Sequence, residues 1–205
     1  MRVLLSGGGT GGHIYPAITI ARALAAREHA EILFVGTRQG LEADIIPKEG
    51  FAFRTIDVRG LERRLSLAAL VTVGKAAVSV WQSLALIRSF RPDVVIGTGG
   101  YVCGPVLLAA ALCRIPTVIQ EQNVIPGLTN RLLARFVDGV AVGYAEAAPY
   151  FSHPGKVIVT GNPIRGDVMT TSREEGLRRL GLDPAKSTIL VSGGSRGARS
   201  INEAM

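Results

Sequence analysis

The sequence has only two cysteines and no long apolar run, and each shortage excludes a class of protein. Cys103 and Cys113 lie ten residues apart in an apolar segment, which matches no metal-binding spacing. We therefore expect buried free thiols in a reducing cytoplasm. No stretch reaches the roughly 18 consecutive apolar residues of a membrane-spanning helix. The apolar start, Val3 to Leu5, is only as long as a strand, so no secretory signal is predicted.

The overall composition indicates a folded protein with an acidic partner. The chain has 205 residues, of which 47% are hydrophobic and 19% are charged. Such a chain can bury a sizeable core, in one domain or in one domain and part of a second. The net charge of +7 favours binding to nucleic acid, to a phosphorylated substrate or to anionic lipid. Composition does not choose among these three partners.

Short apolar runs alternate with longer amphipathic segments through most of the chain. The predicted strands are 2–5, 32–35, 53–58, 94–96, 117–119, 140–142 and 157–159. The predicted helices between them are 14–28, 40–47, 65–90, 105–113 and 126–135. Strands without polar alternation are buried on both faces, as in parallel sheets. The pattern predicts a doubly wound, Rossmann-like α/β domain over residues 1–162.

The segment 163–205 starts a similar pattern for a second time. It contains a predicted helix at about 173–181 and a predicted strand from Thr188 to Val191, followed by a glycine-rich turn. Residues 190–195 (LVSGGS) are similar to residues 4–9 (LLSGGG). We therefore expect a linker and the truncated start of a second Rossmann-like domain. The alternative is an extension that packs onto the first domain.

A glycine-rich loop, 7–13 (GGGTGGH), connects the first strand to the first helix. Glycines permit close backbone approach, and a helix N-terminus attracts anions, so a phosphate or a sugar hydroxyl fits there. The loop contains the G-x-G-x-x-G pattern, but residues 34–38 end the second strand without an acid for a ribose. It is not a Walker A loop, since His13 replaces the lysine. The alternative is a packing turn without a ligand.

Two further polar loops follow predicted strands. They are 97–101 (GTGGY) and 121–123 (EQN). Because ligands bind outside the carboxyl ends of parallel strands, the two glycine loops predict a diphosphate cradle at that edge. His13 lies at the mouth of this cleft, where it could act as a general base or only form a local hydrogen bond.

The predicted helix 65–90 carries more apolar faces than one core can cover. One stripe consists of Leu67, Leu70, Val71, Val78, Trp81 and Ala85, and a second of Val73, Ala77, Val80, Leu84 and Ile87. Nearby basic residues are Arg54, Arg59, Arg63, Arg64, Lys75, Arg88 and Arg91. Apolar side chains within a basic collar suit an anionic membrane surface. A core helix with a solvated rim explains the residues equally well.

Five motifs, in this order and spacing, resemble the MurG family. They are GGTGGH at 8–13, GGY at 99–101, EQN at 121–123, GNPIR at 161–165 and GGSRGA at 193–198. The resemblance implies the GT-B fold, in which an N-terminal domain binds undecaprenyl-diphosphate N-acetylmuramyl-pentapeptide and a C-terminal domain binds UDP-GlcNAc. It implies inverting transfer of N-acetylglucosamine to the acceptor's 4-hydroxyl in peptidoglycan synthesis, without a cofactor. It also implies a peripheral location on the cytoplasmic face of the bacterial plasma membrane.

The resemblance also assigns site residues. His13 matches the proposed catalytic histidine. The matching donor-binding positions are Thr10, Gly11, Gly12, Asn123, Arg165 and Ser195. The positions of the proposed acceptor-diphosphate cradle are Gly8, Gly9, Gly99, Gly100, Tyr101, Glu121 and Gln122. The expected membrane-contacting residues are Leu70, Val73, Val80, Trp81 and Leu84, and no metal ligand is expected; the chain has no Asp-x-Asp triplet.

The family's chain is longer by roughly one more domain, about 150 residues. We therefore expect this chain alone to lack most of the donor pocket and to be inactive. Two other functions stay open. One is a non-catalytic membrane-anchoring subunit that recruits a separate donor-binding chain, and the other is an NAD-dependent oxidoreductase domain.

Overall fold

The computed structural model describes residues 1–58, 67–193 and 198–205, without the side chains of 67–76 and 167. The chain divides into two compact units, Met1–Pro163 and Ile164–Met205.

The first unit is built on a parallel sheet of seven strands in the order β3-β2-β1-β4-β5-β6-β7. The strands are β1 (Arg2–Gly7), β2 (Glu31–Gly36), β3 (Ala52–Thr55), β4 (Val94–Gly99), β5 (Thr117–Glu121), β6 (Gly139–Val142) and β7 (Val157–Val159). All six neighbouring pairs are parallel, which confirms the predicted doubly wound α/β fold. The third strand is shorter than predicted, although the Ile56 amide still donates to the Gly36 carbonyl at 3.0 Å.

Helices connect the strands and cover the sheet. They are α1 (Gly11–Glu28), α2 (Leu41–Lys48), α3 (Leu67–Phe90), α4 (Cys103–Leu112) and α5 (Leu128–Leu133). Two 3-10 turns, Ala145–Tyr150 and Pro154–Lys156, flank the approach to β7. Helix α1 starts three residues earlier than predicted, because its first turn forms from Gly11 and Gly12 of the glycine loop.

Alternate side chains of the central strand β1 pack into two separate cores, one on each face of the sheet. Val3 and Leu5 pack with residues of α1 such as Ile14. Leu4 packs on the opposite face with residues of α3 and α4, including Ile87 and Leu107. A strand between two cores can be apolar at every position, which explains the unalternating pattern in the sequence.

The strand order changes direction at β1, with β2 and β3 on one side of it and β4 to β7 on the other. This strand lies between β2 and β4, so the loops that leave β1 and β4 run to opposite sides. Such a switch point opens a crevice at the carboxyl ends of the strands. The β1–β4 register shifts between Ser6 and Gly7, and Gly7, the first residue of the first glycine loop, pairs with Gly99 of the second.

The described part of α3 has one core face and one exposed face. Ile87 is buried, and Val80 and Leu84 pack partly buried against the core. Trp81 is 68% exposed, and Val78 is also exposed. Val80 and Leu84, two of the expected membrane-contacting residues, are therefore less exposed than Trp81 and pack against the core. They lie on the stripe that the helix turns towards α4 and the sheet, and the exposed stripe contains Trp81.

The second unit contains α6 (Gly166–Thr170), α7 (Arg173–Leu180) and α8 (Arg199–Ala204). Ser172 caps α7 by accepting from the Glu175 amide at 3.2 Å, and Gly181 ends it in the left-handed conformation. The predicted strand from Thr188 to Val191 does not form, and Leu190 is 88% exposed. A strand needs a hydrogen-bonded neighbour, and the described residues of this unit supply none.

None of the helices in the described ranges combines the length and the apolar character that a membrane crossing requires.

Candidate functional site

The first glycine loop fixes the orientation of the His13 ring. His13 is the third residue of α1, and its Nδ1 lies 2.9 Å from the Gly8 carbonyl oxygen and 3.4 Å from Thr10 Oγ1. A carbonyl oxygen only accepts hydrogen bonds, so we assign the proton of the neutral ring to Nδ1. Nε2 then carries the lone pair and is the nitrogen able to take a proton.

The second glycine loop lies directly against the first. The Gly8 amide donates to the Gly99 carbonyl at 3.3 Å. A Cβ on Gly100 would lie 2.4 Å from the Gly8 carbonyl oxygen, and a Cβ on Gly99 would lie 2.7 Å from Cδ2 of His13. Both glycines also have positive φ, +111° at Gly99 and +86° at Gly100, which other residues rarely adopt. The predicted meeting of the two glycine loops at one sheet edge is confirmed.

The segment 121–123 reaches the same edge, but Glu121 has a different role from the expected one. Its side chain is 1% exposed. One carboxylate oxygen accepts from the amide and the side chain of Asn123, at 2.9 and 2.8 Å. The other accepts from the Gly127 amide at 3.1 Å and from Asn130 Nδ2 at 2.9 Å. The assignment of Glu121 to diphosphate binding is therefore corrected, because a buried anion with both oxygens occupied holds the 123–130 loop instead.

Gln122 is likewise engaged within the protein. Its Nε2 donates to the Thr98 carbonyl at 2.8 Å and to the Gln120 carbonyl at 3.1 Å. Asn162, from the end of the first unit, donates to the Gln122 carbonyl at 3.1 Å. These bonds join the ends of β4 and β5 to residue 162.

A second buried carboxylate, Glu42, was missed in the sequence. Glu42 is 1% exposed and lies in the first turn of α2. Its Oε1 accepts from the Thr37 amide at 3.0 Å and from Thr37 Oγ1 at 2.7 Å, and its Oε2 accepts from the Gly9 amide at 3.0 Å. The available signal was an acidic residue opening the helix after β2. Glu42 lies four residues beyond the segment 34–38, where the dinucleotide-binding pattern requires its acid.

These bonds change the expected diphosphate cradle. The amides of Gly8 and Gly9 donate to Gly99 and Glu42, and the Gly99 amide donates to Cys103 Sγ at 3.3 Å. The three amides are therefore occupied within the protein. In the first turn of α1, the amides of His13 and Ile14 donate to the Thr10 carbonyl at 3.1 and 3.2 Å. Gly12, in the same turn, is exposed.

The remaining predicted residues divide into those at this edge and those elsewhere. Thr10, Tyr101 and Asn123 lie on the loops just described, and Tyr101 is 41% exposed. Arg165 belongs to the second unit. Ser195 lies outside the described residues, as do the side chains of Leu70 and Val73. Among the described residues, no three potential metal ligands are grouped as a metal site requires.

The parallel sheet with two glycine loops packed together at its switch point matches the Rossmann-like N-terminal half of a GT-B glycosyltransferase. The chain belongs to glycosyltransferase family 28, because residues 3–142 match the model of that family's N-terminal domain.

Curated relatives are similar over the entire chain. The chain is 54% identical to the UDP-N-acetylglucosamine–N-acetylmuramyl-(pentapeptide) pyrophosphoryl-undecaprenol N-acetylglucosamine transferase of Thermoanaerobacter sp. (strain X514). It is 52% identical to the enzyme of that name from Halalkalibacterium halodurans. Both alignments cover 100% of this chain, which spans 57% and 56% of the two relatives.

Solved structures agree with the fold. Acinetobacter baumannii MurG superposes with a TM-score of 0.67 at 28% identity, over 82% of this chain and 47% of the MurG chain. The S. aureus MnaA–UDP structure superposes with a TM-score of 0.61 over 85% of this chain and 47% of its own, and at 16% identity it supports the fold alone. The resemblance to the MurG family is confirmed by these comparisons.

The two cysteines differ in exposure, contrary to the expectation that both are buried. Cys103 is fully buried beneath the second glycine loop, where its thiol lies 2.8 Å from the Ser6 carbonyl oxygen and 3.0 Å from that of Gly99. Burial raises the pKa of the Cys103 thiol to about 11. Cys113 is exposed, because it follows the last turn of α4 and points away from the core.

We predict that an alkylating reagent modifies only Cys113 in the folded chain near neutral pH. The thiolate is the reactive form, and the raised pKa of Cys103 keeps that thiol protonated as well as inaccessible. Mass spectrometry should find one adduct per native chain, none in Cys113→Ser and two in the denatured chain. Native modification of Cys103 would contradict the packing described.

Because the folded pKa of Cys103 lies above the unfolded value of 9.0, stability from this thiol should be lost as pH rises from about 9 towards 11.

Proposed function

We propose that this chain supplies the acceptor half of an enzyme that transfers N-acetylglucosamine from UDP-GlcNAc to lipid-linked N-acetylmuramyl-pentapeptide. The product would be the lipid-linked disaccharide of peptidoglycan synthesis, lipid II. The names of the curated relatives, at 50–54% identity over the whole chain, support this substrate pair. The observation that carries the chemistry is the ring of His13, held with Nε2 available as a proton acceptor at the junction of the two glycine loops.

The proposed reaction is a single displacement with inversion. His13 Nε2 takes the proton of the acceptor's 4-hydroxyl while that oxygen attacks the anomeric carbon of the sugar. The bond from the anomeric carbon to the diphosphate breaks, and UDP leaves with the electron pair. Developing negative charge on the diphosphate is stabilised by helix N-termini and by arginine, for which Arg165 is the candidate.

The remaining site residues are proposed from their family positions. Thr10, Gly11, Gly12 and Asn123, with Arg165 and Ser195, are the proposed donor contacts. Gly100 and Tyr101 remain the proposed acceptor contacts. The other five cradle residues have polar groups engaged within the protein, so they are better assigned to shaping the edge than to binding the diphosphate directly.

We predict that His13→Ala lowers kcat by about 100-fold or more in a full-length enzyme that contains this half, the scale of general-base catalysis. KM for UDP-GlcNAc should change little, since a base acts in the transition state. Steady-state transfer onto a lipid-linked acceptor measures both parameters. His153→Ala, at an exposed histidine of the same unit, is the matched control. An unaltered kcat in His13→Ala would return this residue to a structural role.

We also propose that the protein binds peripherally to the cytoplasmic face of the plasma membrane through the exposed face of α3. The acceptor's undecaprenyl tail does not leave the bilayer readily, since each buried CH₂ contributes about 0.8 kcal/mol. The enzyme must therefore come to the lipid. Val78 and Trp81 are the exposed large apolar residues of the described part of α3, and Arg88 is an exposed cation seven residues after Trp81. An exposed tryptophan near basic residues suits an anionic interface.

We predict that Trp81→Ser weakens sedimentation with anionic vesicles and leaves the melting temperature nearly unchanged. Trp81 is 68% exposed, so its loss removes contact area with the membrane but little core packing. Leu84→Ser is the matched change one turn away on the core side, and it should lower the melting temperature. Undiminished vesicle binding by a folded Trp81→Ser chain would place the membrane contact elsewhere.

A further inference from the structure

One peptide group connects a buried carboxylate to the candidate base. The amide of Gly9 and the carbonyl of Gly8 belong to the same peptide unit. The Gly9 N–H donates to Glu42 Oε2 at 3.0 Å, and the Gly8 carbonyl oxygen lies 2.9 Å from Nδ1 of His13. The N–H of this peptide therefore donates to a carboxylate, and its carbonyl oxygen accepts from an imidazole N–H.

The Glu42 carboxylate accepts hydrogen bonds in a confined place. Its other oxygen accepts from the amide and the hydroxyl of Thr37, and the side chain is 1% exposed. A Cβ on Gly8 would lie 2.5 Å from Glu42, and one on Gly40 would lie 2.2 Å from it, so the carboxylate has little room to move. No cation of the described residues lies within ion-pair distance of Glu42. Backbone and hydroxyl donors, together with the start of α2, stabilise it instead.

We propose that Glu42 is a positioning residue for His13, acting through the Gly8–Gly9 peptide. Hydrogen bonds in a chain polarise one another, so a carboxylate on the N–H makes the carbonyl of the same peptide a stronger acceptor. The stronger acceptor holds the proton on Nδ1 of His13 and leaves Nε2 as the basic nitrogen. This is the part that a directly bonded carboxylate plays in other catalytic histidines, carried here across one peptide.

The proposal deepens the proposed function, since a fixed Nδ1–H tautomer serves a base that works through Nε2. The tautomer itself is a property of this chain and can be measured without substrate. If Glu42 only shaped the loop, its charge would not affect the tautomer of His13. Polarisation through the Gly8–Gly9 peptide does require that charge. The tautomer of His13 therefore separates the two roles.

The experiment measures the ring ¹⁵N chemical shifts of His13 in this chain at alkaline pH, where imidazole is neutral. The Nδ1–H form should predominate in the unaltered chain. In Glu42→Gln, which keeps the shape but removes the charge, the ratio of Nδ1–H to Nε2–H should fall up to about twofold, because polarisation strengthens the Gly8–His13 bond by roughly 10–30% of its net contribution. Amide spectra and thermal melting establish that the variant is folded.

Two matched variants control for disturbance of the fold. Asp138 accepts from the amide and the hydroxyl of Thr117 at 2.8 and 3.0 Å, the same pair of donors that Thr37 offers Glu42. Thr117 begins β5, so this pair lies at the opposite edge of the sheet. Asp138→Asn should leave the His13 tautomer unchanged. Thr37→Val removes a donor to Glu42 but retains its charge and the Gly9 bond, so it should also preserve the Nδ1–H form.

Two results would overturn the proposal. One is an unchanged tautomer ratio in a folded Glu42→Gln chain. The other is a predominant Nε2–H form in the unaltered chain, which decides the matter even if Glu42→Gln does not fold. Neither result depends on transfer activity. If the proposed function failed because His13→Ala kept its kcat, the tautomer measurement would still stand as a separate finding.

Discussion

The carboxyl edge of the sheet depends on two buried carboxylates that are held by backbone and amide donors. Burying an unpaired carboxylate is very unfavourable, and the penalty is offset only when its oxygens are fully hydrogen-bonded. Glu42 meets this requirement with donors from Thr37 and Gly9, and Glu121 meets it with donors from the 123–130 loop. Because a displaced loop would leave a buried charge without donors, each carboxylate fixes its loop.

This bracing explains why the edge is rich in glycine and poor in free donors. The loops approach so closely that Gly8 and Gly100 have no room for a side chain, and the amides of Gly8, Gly9 and Gly99 are used to hold the loops together. His13 gains a fixed ring orientation from the same contacts. The end of β2 carries no acid of the dinucleotide-binding pattern, and the oxygens of the first acid after it, Glu42, are bonded within the protein. The oxidoreductase alternative therefore gains no support from it.

Part of this arrangement was predictable from the sequence, and the rest depended on tertiary packing. Apolar runs without alternation predicted the parallel sheet, because each strand lies between two cores. The two stripes of α3 could not be ranked until packing showed that Leu84 faces the core and Trp81 does not. The prediction of a strand at 188–191 was wrong because apolar character alone does not supply a neighbouring strand. Glu42 and Glu121 were misjudged because a sequence shows a carboxylate but not the amides that surround it.

The role of the buried carboxylate requires that the Gly9 amide is committed to Glu42 and not to a ligand. Amide hydrogen exchange of this chain, without substrate, measures that commitment directly. We predict that the Gly9 amide exchanges far more slowly than that of Gly155, which lies in an exposed turn of the same unit, although Gly9 itself is exposed to solvent. Exchange of Gly9 as fast as that of Gly155 would contradict the claim, and with it the role given to the buried carboxylate.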